Sequence, residues 1–404
     1  MLSLEAALAR LHSAVSPRPA TEAEQVSTFA GLGRVLAQDL DSGLDVPPGD
    51  NTSMDGYALR CADLAAAGGV LPVSQRIPAG AVATPLHAGT AARIFTGAQI
   101  PAGADAVVMQ EQCTLEGSMV RIAGTPTPGQ WIRRRGEDVR RGDVVLPLGS
   151  RLTPQAMGLA ATVGAAMLKV ARRPRVALFS TGDELAMPGE PLKPGAIYNS
   201  NRYTLRGLIE TLGCECFDLG IVPDQLGATR EALQRAAVGN DLILTSGGVS
   251  VGEEDHIRPA VALEGRVDLW QIAIKPGKPF AFGEVRRTDG SAALFIGLPG
   301  NPVSSWVTFL LLVRPVLLRL QGATQLDVAP IRMRADFDWP RPDKRREFLR
   351  VRRNAAGGLD LFASQSSGVL TSTVWADALV DNPPSAPIRK GDNVNVLLIS
   401  ELLA

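Results

Sequence analysis

The chain is short of the features that mark several classes of protein. Its 404 residues include four cysteines, Cys61, Cys113, Cys214 and Cys216, which are too few and too scattered for a disulfide framework. Cys214 and Cys216 flank a single residue, and no second pair completes a zinc site, so reduced structural thiols are expected. The formal net charge is zero, which gives no electrostatic footprint for nucleic acid or an anionic membrane. Any anion-binding site must therefore be local.

Membrane and targeting signals are scarce as well. The longest apolar stretch, residues 307–318, is interrupted by Arg314 and Pro315 and is shorter than the roughly 18 residues that a bilayer span requires. The first residues, Met-Leu-Ser-Leu-Glu, show neither the basic region nor the apolar core of a signal peptide. We therefore expect a cytoplasmic protein that binds neither nucleic acid nor membrane.

Changes in composition divide the chain into four parts. Its length exceeds a single compact core, and 45% hydrophobic with 20% charged residues is typical of globular proteins. Residues 3–15 have helical apolar spacing after Ser3, and Thr153-Pro154 begins a second helix that runs to about residue 166. These two helices can pack together, which would make the β-prone stretch between them an insertion. We predict a discontinuous helical domain (1–40 and 148–170), an inserted β domain (41–147), an α/β domain (171–322) and a C-terminal β-barrel (323–404).

Three strand-like segments of the α/β part each lead into a polar loop that contains glycine. Residues 242–244 lead into Thr-Ser-Gly-Gly-Val-Ser, residues 175–180 into Thr-Gly-Asp-Glu-Leu, and residues 293–296 into Gly-Leu-Pro-Gly-Asn-Pro. Strands that alternate with helical patterns predict a mostly parallel sheet, whose loops at the carboxyl ends of the strands gather on one edge. One such loop fits a plain turn equally well. Three together favour a phosphate-containing ligand held by backbone N–H groups and hydroxyls.

Charged residues beside these loops suit an anion and a metal. Lys275 and Lys278 are held by prolines in Lys-Pro-Gly-Lys-Pro, which suits an oxyanion, although a solvated turn remains open. Glu184, Asp224 and Asp255 each follow a strand of the α/β part. Carboxylates repel a neighbouring phosphate unless a divalent cation such as Mg2+ bridges the two.

Two further aspartates lie outside the α/β part. Asp55 precedes a glycine in a polar loop and Asp138 belongs to Arg-Gly-Glu-Asp-Val, so both also fit ordinary turn residues. No single side chain is an obvious nucleophile. Catalysis is therefore expected to come chiefly from positioning and electrostatics.

Six strings of residues resemble one enzyme family, the molybdopterin molybdenumtransferases of the MoeA type, whose animal relative is the E domain of gephyrin. They occur in the family's order, cover the chain almost end to end and are together highly specific. They are Ser-Met-Asp-Gly-Tyr-Ala (53–58), Thr-Gly-Ala followed by Pro-Ala-Gly-Ala-Asp-Ala-Val (96–98 and 101–107), Ser-Thr-Gly-Asp-Glu-Leu (180–185), Thr-Ser-Gly-Gly-Val-Ser (245–250), Lys-Pro-Gly-Lys-Pro (275–279) and Leu-Pro-Gly-Asn-Pro (298–302).

The resemblance implies an elongated protomer with a helical domain built from both sides of a β insertion, a molybdopterin-binding α/β domain and a C-terminal β-barrel. It also implies a homodimer that takes adenylylated molybdopterin from a partner adenylyltransferase. Such an enzyme inserts molybdate into the dithiolene and releases AMP with help from Mg2+ or another divalent cation. Its product passes to molybdoenzymes or cofactor carriers.

Matched position by position, the resemblance assigns functional residues in every part of the chain. Asp55, Asp138 and Glu184 take catalytic positions, and Asp55 and Glu184 also take metal positions. Gln271 stands where some relatives carry a lysine. The substrate-binding positions are Thr96, Thr181, Gly182, Asp224, Ser246, Gly247, Gly248, Ser250, Asp255, Lys275, Lys278, Pro299, Asn301, Arg350 and Ser367. Loop 246–250 is expected to hold the pterin phosphate. Lys275, Lys278, Arg350 and Ser367 are expected to hold molybdate.

Two other functions stay open. An adenylyltransferase that makes the activated pterin would use a similar α/β domain, although its relatives are small single-domain proteins. A scaffold that binds partner peptides, as gephyrin does, is the second alternative. The zero net charge and the carboxylate set argue against a loss of catalysis but not against such a second role.

Overall fold

Residues 1–16, 22–248 and 256–403 are described by a computed structural model of the chain. Helix α1 (Leu4–Ala14) begins where the Ser3 hydroxyl accepts a hydrogen bond from the Ala6 N–H at 3.1 Å. It is followed by strand β1 (Ala23–Ser27), a short 3-10 helix (Thr28–Ala30) and the two-residue strands β2 (Leu40–Asp41) and β3 (Asn51–Thr52).

A six-stranded sheet forms the β insertion. The elements of this region are β4 (Gly56–Leu59), α2 (Cys61–Ala66), β5 (Val70–Ile77), β6 (Ala91–Ile94), β7 (Ala106–Met109), β8 (Cys113–Glu116), β9 (Met119–Ile122), β10 (Ile132–Arg133) and β11 (Val144–Leu146). The sheet order is β7-β4-β6-β5-β9-β8, and Leu59, Leu71 and Val120 belong to a core of its own. β10 and β11 return to pair with β3 and β2, so paired strands connect the insertion to the N-terminal part.

Helix α3 (Pro154–Thr162) follows the insertion and precedes strand β12 (Met167–Ala171), which pairs with β1. The Thr153 hydroxyl caps α3 by accepting from the Ala156 N–H at 3.2 Å, as the Thr-Pro pair predicted. The helix ends at Thr162 and does not reach residue 166, because Gly164 takes the left-handed conformation (φ +81°) that stops a helix.

The expected packing of α1 against α3 is wrong. Ala7 and Leu11 of α1 are buried in the core of the α/β part, in one cluster with Leu205 and Leu310. Ala160 of α3 belongs to a separate cluster in the N-terminal part. Apolar periodicity showed that α1 has a face to bury, but it carried no information on which partner covers that face.

The α/β part is a six-stranded sheet flanked by helices. Its elements are β13 (Arg175–Thr181), β14 (Leu185–Ala186), β15 (Ile197–Tyr198), α4 (Ser200–Thr211), β16 (Glu215–Val222), α5 (Leu226–Ala237), β17 (Leu242–Ser246), α6 (Ile257–Glu264), β18 (Gly265–Gln271), β19 (Ile274–Lys275), β20 (Pro279–Arg286), β21 (Ala292–Leu298), α7 (Pro302–Thr308), a π-helical turn (Phe309–Val313) and α8 (Arg314–Leu320). The order is β16-β13-β17-β21-β20-β18. The first four strands are parallel, so the carboxyl ends of β13, β17 and β21 meet at one edge.

The apolar stretch after β21 is one continuous helix of 19 residues, Pro302–Leu320, so Arg314 and Pro315 interrupt the run of apolar residues but not the helix. A π-helical turn precedes Pro315, and this wider turn accommodates a residue that lacks an N–H and whose ring would clash with an earlier carbonyl. The helix is long and apolar enough to cross a membrane, but 94% of its apolar window is buried inside the protein. Its composition is therefore accounted for by the core.

The C-terminal part is a closed barrel. Its elements are β22 (Ile331–Ala335), β23 (Arg346–Arg353), β24 (Gly358–Leu361), α9 (Thr371–Trp375), β25 (Ala378–Asn382), β26 (Asn393–Leu398) and α10 (Ile399–Leu403). Pairing runs β23-β24-β22-β26-β25 and back to β23, and β19 of the α/β part adds to β23. The predicted fold class, with a mostly parallel α/β sheet, a β insertion and a C-terminal barrel, is confirmed. The domain boundaries given above stay a prediction.

Candidate functional site

A cavity of about 690 Å³ lies at the carboxyl edge of the parallel sheet. Its walls come from the loops after β13, β17 and β21, from residues 197–201 at the start of α4, and from Gly368 of the C-terminal part. Many predicted site residues line it, namely Thr181, Gly182, Glu184, Asp224, Ser246, Gly247, Gly248, Pro299 and Asn301. The structure therefore brings the three glycine-bearing loops together as predicted from the parallel sheet.

The loop after β17 turns sharply at two glycines. Gly247 (φ +94°) and Gly248 (φ +64°) both adopt left-handed conformations that favour glycine. A Cβ at Gly248 would lie 2.6 Å from Ile257 Cγ1 and 2.9 Å from Thr181 Oγ1. A Cβ at Gly247 would lie 2.8 Å from the Thr181 carbonyl oxygen. The loop thus packs directly onto the end of β13, which is possible because neither residue has a side chain.

The polar groups of the cavity wall differ in whether they already have a hydrogen-bond partner within the chain. The Gly247 N–H donates to the Leu298 carbonyl oxygen at 3.1 Å, so this amide is already used within the chain. The Thr181 side chain is buried, with the residue 4% exposed, and its hydroxyl has no hydrogen-bond partner within the described part of the chain. A buried hydroxyl without a partner is costly unless a ligand supplies one. Thr181 is therefore suited to contact a ligand.

Two carboxylates stand at the rim of the cavity. Glu184 is exposed, and its carboxylate folds back over Gly182, where an added Cβ would lie 2.6 Å from Glu184 Oε2. Asp224 also lines the cavity, and its N–H donates to Asp183 Oδ1 at 3.3 Å. Among the described residues, no three His, Cys, Asp or Glu side chains are grouped so that they could hold a metal ion by themselves.

Asn201 is a cavity residue that the sequence analysis missed. Its Nδ2 donates to Ser246 Oγ at 2.7 Å and to the Gly300 carbonyl oxygen at 2.8 Å. It therefore ties the β17 loop to the β21 loop from the first turn of α4. The available signal was the string Asn-Ser-Asn at residues 199–201, in which Asn199 caps α4 by accepting from the Arg202 N–H at 3.2 Å.

Lys275 is paired with two carboxylates. Its Nζ lies 3.2 Å from Glu347 Oε1 and 3.4 Å from Asp343 Oδ2. Glu347 is completely buried, and its second oxygen accepts from Trp339 Nε1 at 2.7 Å. Hydrogen bonds from Arg345 hold the pKa of Asp343 well below its usual range, so that carboxyl is charged. The positive charge of Lys275 is thus largely offset.

Arg350 differs from Lys275 because no carboxylate in the described structure offsets its charge. It is 1% exposed, and within the described structure its guanidinium donates to neutral oxygens: Ser372 Oγ and the carbonyls of Phe348 and Ser366, at 3.2–3.3 Å. Burial lowers the pKa of Arg350 to about 10, so the side chain still carries its charge at neutral pH. A buried cation with no carboxylate beside it in the described structure is a favourable place for a bound anion.

Ser367 and Lys278 belong to the same predicted oxyanion set. The Ser367 carbonyl oxygen accepts from the Val303 N–H at 3.0 Å, which fastens this loop of the C-terminal part to the start of α7. The next residue, Gly368, lines the cavity. Lys278 is exposed. The structure therefore places Ser367 beside the cavity and leaves Lys278 free to be reached from solvent.

Asp55, Thr96 and Asp138 lie in the β insertion, and none of them is among the described residues that line the cavity. Thr96 donates both its N–H and its hydroxyl to Asp55 Oδ1, each at 2.7 Å. The backbone N–H and then the hydroxyl of Thr96 lower the pKa of Asp55. Asp138 is exposed. Ser250 and Asp255 lie outside the described residues.

Family models match three parts of the chain. Residues 2–164 match the MoeA N-terminal region (domain I and II), residues 177–319 a probable molybdopterin binding domain, and residues 332–399 the MoeA C-terminal region (domain IV). All of the residues that line the cavity except Gly368 fall within the second match, and Gly368 falls within the third. Fold and site together thus define a molybdenum cofactor biosynthesis protein of the MoeA class.

Individual relatives narrow this class. A molybdopterin molybdenumtransferase from Haemophilus influenzae is 44% identical over 82% of this chain and 80% of the relative, and one from Nostoc sp. is 37% identical over 93% and 88%. The crystal structure of a molybdopterin biosynthesis moeA protein from Pyrococcus horikoshii OT3 is 31% identical, with a TM-score of 0.84 over 98% of this chain and 100% of that one. The chain belongs to the molybdopterin molybdenumtransferase family.

Proposed function

We propose that this chain inserts molybdate into the dithiolene of adenylylated molybdopterin and releases AMP, a step of molybdenum cofactor biosynthesis. One observation carries the proposal. A cavity is built from glycine loops and from a buried Thr181 hydroxyl that has no hydrogen-bond partner among the described residues, and it receives a loop from the C-terminal part. Behind that loop a charged Arg350 is buried without a carboxylate partner in the described structure. Neutral donors that suit a phosphate thus lie in the cavity wall, and a cation that attracts an oxyanion lies behind it.

The glycine-loop side of the cavity is the proposed pterin phosphate site. The Gly248 amide and the hydroxyls of Ser246 and Thr181 are donors at the end of the parallel strands. Ser250, which the sequence analysis adds to this set, follows in the same loop. Neutral donors in fixed positions bind a phosphate without the cost of reorganising side chains.

The side of the cavity that faces the C-terminal part is the proposed molybdate site. Arg350 supplies a planar guanidinium with several donors, which suits a tetrahedral oxyanion. Lys275, Lys278 and the Ser367 hydroxyl are proposed to complete the set. Because the charge of Lys275 is offset by Glu347 and Asp343, Arg350 provides the larger net attraction.

We also propose a divalent cation, Mg2+ or a similar ion, at the rim of the cavity. Mg2+ usually binds one or two carboxylates, with water and substrate phosphate oxygens completing its shell, and Glu184 and Asp224, which line the same cavity, fit that pattern. When bound, such an ion neutralises charge on a phosphoanhydride as it is cleaved. Glu184 and Asp224 hold it at the rim, and Asp255 is a further proposed contact.

Asp55 and Asp138 require a second copy of the chain in this proposal. They are not among the cavity residues of their own chain, although the resemblance assigns them catalytic roles and Asp55 a metal position. We therefore propose a homodimer in which the β insertion of one protomer lies over the cavity of the other. Thr96 keeps the Asp55 carboxylate ionised and oriented for this role.

The proposed partners and compartment are those that the resemblance and the composition led us to expect. An adenylyltransferase upstream supplies the activated pterin, molybdoenzymes or cofactor carriers receive the product, and the reaction takes place in the cytoplasm. An adenylyltransferase activity of this chain itself is not favoured, because a relative matched over 93% of the chain is named a molybdenumtransferase. A gephyrin-like scaffold role has no specific support in the structure.

The test is a reconstitution with purified protein, adenylylated molybdopterin and molybdate. We expect AMP release that depends on molybdate and on a divalent cation, and we expect the product to activate an apo-molybdoenzyme. AMP release that continues unchanged after chelation would remove the metal from the proposal. Synthesis of adenylylated molybdopterin from molybdopterin and ATP, without molybdate-dependent AMP release, would identify the chain as the upstream enzyme instead.

A further inference from the structure

We propose that Asn201 is a positioning residue that turns the Ser246 hydroxyl into a donor aimed at a phosphate oxygen of the pterin substrate. The proposal rests on the proposed function and deepens it by assigning a role to a residue in the first turn of α4. Asn201 reaches from that helix to both the β17 loop and the β21 loop, at 2.7 Å and 2.8 Å. It is therefore the described side chain that joins these two walls of the cavity through its own hydrogen bonds.

The chemistry of the three partners fixes the direction of these hydrogen bonds. The Gly300 carbonyl oxygen can only accept, so the Asn201 atom that faces it must be the amide nitrogen. The same nitrogen lies 2.7 Å from Ser246 Oγ, and its second hydrogen points there. Ser246 Oγ therefore accepts from Asn201, and its own proton remains to be donated elsewhere.

The position of Ser246 determines where that proton goes. Ser246 is 3% exposed, ends strand β17 and lines the cavity, so the open direction is the cavity itself. A hydroxyl that donates into the cavity complements the oxygens of a phosphate, which accept hydrogen bonds. The Thr181 hydroxyl, which has no hydrogen-bond partner among the described residues, lies under the same loop, so two donors converge there.

Asn201 also keeps the two loops in register. A Cβ at Gly300 would lie 3.8 Å from the Gly247 Cα, which shows how closely the β17 and β21 loops approach. The Gly247 N–H joins them through the Leu298 carbonyl, and Asn201 joins them from the helix side. Loss of Asn201 would thus release both the orientation of Ser246 and one of the links that hold the glycine loop.

Asn201→Asp is the sharpest single test, because it preserves shape and reverses hydrogen-bonding character. A carboxylate can only accept, so it would draw the Ser246 proton away from the cavity and place a negative charge near the bound phosphate. We expect the KM for adenylylated molybdopterin and the Kd for molybdopterin itself to rise roughly tenfold or more. The kcat should fall as well, because the pterin phosphate is one half of the phosphoanhydride that is cleaved, so the Kd for molybdopterin is the measurement that isolates binding. Asn393→Asp, on an exposed barrel strand, is the control for the added charge.

A double-mutant cycle separates positioning from general support of the fold. Asn201→Ala and Ser246→Ala should each weaken molybdopterin binding, and the double variant should bind within about twofold of Ser246→Ala alone, because Asn201 acts through Ser246. If the two effects multiply, Asn201 acts independently of Ser246 and the inference is wrong. A purely structural role would lower Tm and leave the cycle additive, so Tm is measured for every variant.

The readouts also distinguish this inference from the proposed function. Binding of molybdopterin needs no turnover, so the cycle is informative even if the wild-type protein releases no AMP. In that case the proposed function fails while the binding result still decides the role of Asn201. If the wild-type protein is active and the Asn201 variants bind molybdopterin like wild type, the inference fails and the proposed function stands.

Discussion

The sheet edge and the β insertion both carry predicted catalytic carboxylates, and in the described structure Glu184 of the sheet edge lines a large cavity whereas Asp55 and Asp138 of the insertion do not. Glu184 stands at a rim where three loops of one domain converge. Asp55 is held by Thr96 inside a domain that has its own apolar core, and it does not line that cavity. A self-contained domain fixes the geometry of its own residues but not their placement over a site elsewhere. The comparison teaches that the cavity of the sheet edge is assembled within one chain, whereas Asp55 reaches such a cavity only in the proposed homodimer.

The largest expected effect tests whether the carboxylates of the two regions act together in a site shared between two chains. Asp55→Asn and Glu184→Gln homodimers should each be nearly inactive, because each removes one carboxylate from every shared site. After subunit exchange the mixture should regain up to about a quarter of the activity, since half of the randomly paired dimers are mixed and each mixed dimer has one intact site. AMP release is the measurement. If differently tagged subunits co-purify and activity stays at the level of the single variants, the site is not shared between chains.

The second prediction concerns a variant that disturbs the cavity at the sheet edge. Gly248→Ala should lower kcat/KM roughly a hundredfold, because its Cβ would collide with Ile257 and with the Thr181 hydroxyl and displace the glycine loop. Gly290→Ala is the matched control: Gly290 has φ +84° but nothing lies within 4 Å of an added Cβ. Both variants strain the backbone, and only the first disturbs the cavity. Equal losses of activity would show that strain alone, and not the shape of the loop, is responsible.

Much of the cavity at the sheet edge was predictable from the sequence, for physical reasons. Parallel strands bring the loops at their carboxyl ends to one edge whatever the details of packing. The strand pattern therefore predicts that Thr181, Ser246 and Asn301 lie at the same edge of the sheet. The predicted site residues in other parts of the chain came from the resemblance to the MoeA family and not from the strand pattern. The Gly247 amide shows the limit of this reasoning, because a glycine-rich string reveals which residue can turn but not which carbonyl its N–H meets.

What the sequence could not supply are contacts between segments far apart in the chain. Lys275 and Glu347 belong to different parts of the chain, and they meet because strand β19 pairs with strand β23. The packing of α1 on the α/β part and the reach of Asn201 to Gly300 are of the same kind. Periodicity and turn chemistry are local signals, so they predict elements and edges better than they predict partners.

The third prediction compares the two cations of the molybdate side. Arg350→Met should raise the molybdate concentration for half-maximal activity about tenfold, because its buried charge is not offset by a carboxylate in the described structure. Lys275→Ala should raise it by a smaller factor, because Glu347 and Asp343 already offset its charge. In both variants the KM for the pterin should change less. Lys344→Ala removes an exposed lysine nearby and serves as the control. A change confined to the pterin KM in Lys275→Ala would contradict the assignment of that lysine to molybdate.

The smallest expected effect sharpens the description of the β insertion. Thr96→Val removes one hydroxyl donor from Asp55 Oδ1 and keeps the backbone N–H, which is the larger cause of the lowered pKa of Asp55. Because a hydrogen bond to the ionised carboxylate stabilises it, loss of the hydroxyl should raise the pKa of Asp55 toward its ordinary value. The ionised form of Asp55 would then be lost at a higher pH, so the acid limb of the kcat/KM profile should move upward in pH. Thr96 is also a predicted substrate-binding residue, so a lower plateau above neutral pH is a separate effect and the midpoint of the acid limb is the measurement. Thr114→Val, an exposed substitution in the same sheet, should leave the limb in place. If the limb does not move in Thr96→Val, the group that titrates there is not Asp55, and Thr96 holds the loop without tuning its carboxylate.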